Sequence, residues 1–167
     1  HVIDKDNVPV VRDRSGVCVV SGAFDDSVYP LRTACAKAAS GGRLGPGTVY
    51  QKHPGYHQNG TTSYQYIDML SKYRVAICTC SAYKFALRKI FEATAAGCRV
   101  ITNLPEWDCL PEIDDNLIRV PDDCTIDELR ETIQAAADYW DLDRQRYFAY
   151  RCVRRYDYRT ETARIAG

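Results

Sequence analysis

The chain is poor in several things, and each scarcity excludes something. No apolar run approaches the roughly 20 residues that a membrane-spanning helix needs. Neither sign of charge is in excess, since 22 Lys and Arg stand against 22 Asp and Glu. Without a net positive field, nothing draws the whole chain to nucleic acid or to an anionic membrane, so neither is expected as a partner. The paired Cys-x-x-Cys spacing of zinc sites is missing, and so are a Ser/His/Asp arrangement and a Walker-type glycine loop. These absences turn the reading away from zinc modules, hydrolases and kinases.

Cysteine is not scarce. Eight are scattered at 18, 35, 78, 80, 98, 109, 124 and 152, and Cys18, Cys78 and Cys98 each sit in an apolar run. They read as small buried hydrophobes of a reducing cytoplasm. The chain opens at His1 with no signal peptide, which reads as a cytoplasmic domain excised from a longer protein.

Strands and helices alternate along the sequence. Val17–Val20 is a β-branched run closed by the Ser21-Gly22 turn, and Thr48–Lys52, Val75–Thr79, Arg99–Thr102 and Leu117–Val120 read as four more strands. Between them, Ser27 is placed to cap a helix with Pro30 in its first turn and Gly41-Gly42 at its end. Tyr64–Lys72 reads as a helix burying Ile67 and Leu70, and Phe85–Ala96 as one stopped by Gly97. Thr125 with Glu128 forms a capping box ahead of Ile126, Leu129 and Ile133. A last helix begins near Leu142 and fills the segment 142–167, and residues 1–16 read as an interdomain segment. The expected fold is a single α/β domain: a doubly wound parallel, Rossmann-like sheet of about five strands with helices on both faces.

In such a sheet, ligands bind beyond the carboxyl ends of the strands, where the strand order reverses. The candidate loops are 21–28, 53–62, 80–84 and 103–108. Lys84, Arg88 and Glu92, spaced by four, fall along one face of a helix entered near Phe85. Two cations at the positive end of a helix gain nothing from its dipole. A diphosphate that takes the free N–H groups and pairs with these side chains accounts for them. Glu92, about 12 Å farther along, then accepts from ribose hydroxyls. The same spacing also suits an ordinary exposed face, where an Arg88–Glu92 pair is worth about 0.3–0.5 kcal/mol.

Other polar groups read more plainly. Pro54 and Gly55 between His53 and His57 forbid a helical metal site, leaving a polar or base-contacting loop. Asp25-Asp26 suits a solvated turn. The seven arginines of 144–164, interleaved with tyrosines and carboxylates, suit a solvated or domain-packing helix better than a nucleic-acid surface.

The run Leu70–Thr102 resembles the signature segment of group-1 glycosyltransferases of the GT-B fold, where a helix carries Glu-Ala-x-Ala-x-Gly-x-Pro-Val-Ile. Here the run is Glu92-Ala93-Thr94-Ala95-Ala96-Gly97-Cys98-Arg99-Val100-Ile101. Tyr29-Pro30-Leu31-Arg32 and Lys89–Glu92 are similar to the spore-maturation-protein branch. The resemblance implies a nucleotide-diphosphate sugar as donor, no metal and no other cofactor, and an acceptor held by an N-terminal domain of the same protein. It implies that Glu92 binds the nucleotide ribose, that Ser81–Arg88, including Tyr83, hold the diphosphate with Arg32 nearby, and that His53 lies near the base. Lys84 stands where the family has its first glutamate, and Arg99 where it has proline. The candidate donor-binding set is Gly22, Arg32, His53, Tyr83, Lys84, Arg88, Lys89 and Glu92. The competing reading is a non-catalytic nucleotide-binding or protein-interaction module.

Overall fold

The structure is a computed structural model that describes residues 3–54 and 64–166, the side chains of 161 and 164–166 excepted. Five strands form it: β1 (Gly16–Ser21), β2 (Thr48–Gln51), β3 (Tyr73–Ile77), β4 (Arg99–Thr102) and β5 (Leu117–Arg119). They make one sheet in the order β2-β1-β3-β4-β5, and every pairing is parallel. Strand order therefore reverses between β1 and β3.

Among the described residues, six α-helices accompany the sheet: α1 (Pro30–Ser40), α2 (Tyr64–Leu70), α3 (Arg88–Ala95), α4 (Ile126–Asp138), α5 (Leu142–Tyr156) and α6 (Tyr158–Ala166). The pleat sends alternate side chains to opposite faces. Cys18, Val20, Val75, Ile77 and Ile101 pack with Leu31 and Cys35 of α1 and Leu129 and Ile133 of α4. Val19, Ala76 and Val100 pack instead with Tyr66 and Ile67 of α2, Ile90 and Phe91 of α3 and Cys152 of α5. The sheet is thus covered on both sides, the doubly wound arrangement that the alternating sequence predicts. Each aliphatic side chain enclosed this way contributes roughly 1.5–3 kcal/mol.

Several boundaries differ from the sequence reading. Ser27 does not cap α1: its N–H and hydroxyl both donate to Asp25, and Tyr29 precedes the helix with no side-chain cap. α3 begins at Arg88 rather than Phe85, because Lys84 takes a left-handed turn at φ 57° and Leu87 is extended. The C-terminal segment is two helices, α5 and α6, broken at Asp157. The break is where the amino-terminal segment docks. Ile3 N donates to Tyr156 O and Tyr158 N to Ile3 O, at 2.9 and 3.0 Å, and Arg159 pairs with Asp4, Asp6 and Asp157. Ile3, Val11 and Arg14 are buried, so the segment expected to run between domains is, from Ile3 onward, part of this one.

The capping box is present as expected, with Thr125 and Glu128 satisfying each other's backbone N–H. All eight cysteines are unpaired thiols, six of them buried. Among the described residues, no helix is long and apolar enough to cross a membrane.

Candidate functional site

The carboxyl ends of β1 and β3 bring together three candidates from distant parts of the chain. Gly22 follows β1 directly. Arg32 lies in the first turn of α1, and its Nη2 donates to Thr79 O just beyond β3 at 2.9 Å. Lys89 lies in the first turn of α3, and its Nζ donates to Ser21 O, the last residue of β1, at 2.9 Å. Both cations are nearly enclosed, with 2% of Arg32 and 8% of Lys89 exposed. Buried charge is costly unless it is compensated, and these two raise each other's cost. Burial first, and then Arg32, bring the Lys89 ammonium down to a pKa of about 8.

His53, which follows β2, joins the same cluster. Its ring packs at 4.1 Å on that of Tyr66, and burial, then Lys89 and Arg32, lower its pKa to about 4. The imidazole is therefore neutral at pH 7. Of the loop expected near a nucleobase, 53–62, only His53 and Pro54 lie within the described residues; His57 lies outside them.

Three residues missed by the sequence reading complete the cluster. The Tyr66 hydroxyl shares a 2.8 Å hydrogen bond with Ser21 Oγ, and its ring lies 6.0 Å from Lys89 Nζ. Tyr29 lies under the Arg32 guanidinium at 3.8 Å, a cation–π contact. Thr79, almost fully buried, accepts from Arg32 through its carbonyl, while its own hydroxyl and Arg32 Nε have no hydrogen bond. Tyr29 had a signal in the sequence, since it precedes Arg32 by three residues at the start of a helix. Thr79 and Tyr66 had none.

Other candidates are placed differently from expectation. Glu92 is fully buried and faces the interior, so its carboxylate presents no surface to a ribose. Lys84 forms an ion pair with Asp122, whose carboxylate also accepts from Asn103 Nδ2 at 2.7 Å. These two partners hold Asp122 below the usual carboxylate range. Because Lys84 lies outside the helix in a left-handed turn, it does not share a helical face with Arg88 and Glu92, and the axial spacing read from the sequence does not apply. Tyr83 is exposed on the rim of the β3 loop. Arg88 is half-buried and opens α3, a helix with no side-chain cap.

Chemically, the arrangement offers two adjacent cations and two helix starts, α1 and α3, with no side chain capping them. Those are the features of an anion site. No group of His, Cys, Asp and Glu suited to a metal ion occurs among the described residues. The chain matches no protein-family model and no curated protein.

Proposed function

We propose that the chain binds a nucleotide-diphosphate sugar at the carboxyl ends of β1 and β3 and is the donor-binding domain of a glycosyltransferase, the acceptor being held by a separate N-terminal domain. The observation that carries this reading is the Arg32–Lys89 pair. Two cations lie nearly excluded from water at the point where strand order reverses, each donating to a backbone carbonyl. A diphosphate seated on the uncapped amides of α1 and α3 lowers the cost of holding both cations through its field, and Lys89 is the one of the two with surface left to touch it. In glycosyl transfer the diphosphate is the leaving group, and fixed positive charge there stabilises the charge that develops on it. Glu92, fully enclosed, is not a ribose ligand in this reading.

Calorimetric titration of UDP-, GDP- and ADP-sugars into the chain tests the reading. At least one binds, and Lys89→Ala weakens it by about tenfold or more, as expected for the loss of one charge-assisted hydrogen bond. No heat with any nucleotide overturns the proposal.

A second reading, a nucleotide-binding module without transfer, draws on the placement of Lys84 and Glu92, which removes two of the donor contacts that the resemblance implies. The two separate on one comparison. A donor site binds a nucleoside diphosphate and its sugar ester with different affinities, whereas a plain nucleotide module binds them alike.

A further inference from the structure

The outward face of α5 carries a feature unrelated to the anion site. Two concavities adjoin there, and Tyr150 lines both. The first, about 530 Å³, is walled by Glu112, Tyr147, Arg151 and Arg154. The second, about 390 Å³, is apolar, formed by Val8 and Val10 of the amino-terminal segment and Ala149 and Val153 of α5, with Lys5 at its edge.

The charges differ in how far they are engaged. Arg151 is held by Glu112, Nε to Oε2 at 2.9 Å, and donates to the Tyr147 hydroxyl at 2.5 Å. Arg154 and Lys5 are exposed and have no acidic partner among the described residues. Tyr147, Tyr150 and Val10 are also well exposed, Val10 at 72% and Tyr150 at 62%. Apolar and aromatic side chains are thus left in water between two unpaired cations, on a helix whose opposite side is buried through Gln145, Phe148 and Cys152.

The geometry points to a docking site for an acidic peptide segment of another protein. An aliphatic or aromatic side chain of that segment fills the apolar concavity beside Tyr150, and carboxylates on either side of it meet Arg154 and Lys5. Charge complementarity and concavity together select this occupant. A single-stranded nucleic acid calls for a track of free cations, and here one of the central arginines is already neutralised by Glu112. A membrane surface calls for a protruding apolar ridge, whereas these side chains line hollows. An apolar anchor in a pocket with charges at its rim is how short peptides gain both affinity and specificity.

Fluorescence anisotropy of the whole chain tests this, using fluorescein-labelled peptides of Asp and Glu around a central Leu or Phe. The controls are the same peptides with central Ser and an oligothymidylate. The Leu or Phe peptides bind saturably and about tenfold more tightly than the Ser peptides, a difference of about 1.4 kcal/mol. Arg154→Glu abolishes binding and Tyr150→Ser weakens it, while the distant Lys37→Glu leaves it unchanged; all three are surface changes whose folding is checked by circular dichroism. Lys89→Ala also leaves peptide binding intact, so failure of the nucleotide reading and failure of this one are read separately. Absence of saturable binding to every acidic peptide, equal binding of the Ser peptides, or equal binding of oligothymidylate overturns the proposal.

Discussion

Gly22 and Lys89 compete for one small volume: a β-carbon built on Gly22 falls 2.0 Å from Lys89 Nζ. Gly22 also has φ 126°, a backbone conformation that side-chain-bearing residues rarely adopt. The glycine is what allows the ammonium to reach Ser21 O at the tip of β1. Gly22→Ala therefore acts twice, straining the backbone by roughly 1–3 kcal/mol and displacing Lys89. Urea unfolding is expected to show the loss of stability, and titration a fall in nucleotide affinity at least as large as that of Lys89→Ala. Unchanged affinity in Gly22→Ala separates Lys89 from the ligand.

The lowered Lys89 pKa gives the anion site a pH dependence. An unfolded lysine holds its proton to about 10.5, whereas the folded one releases it near 8. Between these values the unfolded chain binds more protons, so this group's contribution to stability rises with pH. Anion affinity runs the opposite way and declines above pH 8 as the ammonium neutralises. Calorimetry from pH 7 to 10 should show the decline in the native chain and its absence in Lys89→Met. A flat native profile is the outcome that rules Lys89 out as an anion ligand.

Gln145 is fully buried on α5, and neither its amide oxygen nor its nitrogen has a hydrogen-bond partner. A buried unsatisfied polar group costs about 1–3 kcal/mol. Gln145→Met keeps the approximate shape and removes the polar atoms, so it is expected to stabilise the fold by about 1 kcal/mol. A thermal melt shifted upward by several degrees is the signature; a lowered melting temperature shows that the amide is satisfied in solution.

Thr125 accepts from Glu128 N at 3.2 Å, while the Glu128 carboxylate accepts from Thr125 N at 2.8 Å. Thr125→Ala removes the first bond and weakens the start of α4, at a cost of about 1 kcal/mol. Equilibrium denaturation measures it. Because α4 lies on the face of the sheet opposite α3, the nucleotide affinity is expected to stay as it was.

Features that depend on local chemistry were legible in the order of residues alone. β-Branched runs, helix periodicity and the Thr125–Glu128 box act over a few residues, and they place five strands, most helices and the two-sided cover of the sheet. Local chemistry did not reach the start of α3, because a left-handed Lys84 is a choice that the Asp122 ion pair rewards and no neighbouring residue announces. Which charges meet is settled by packing between distant segments. Periodicity says that Glu92 lies on some face of its helix, and packing turns that face inward. Arg32 and Lys89, on helices far apart in the chain, become neighbours because β1 and β3 pair side by side and deliver both helix starts to one end of the sheet. Long-range pairing of that kind depends on the summed burial of two whole faces, a quantity that no short stretch of residues contains.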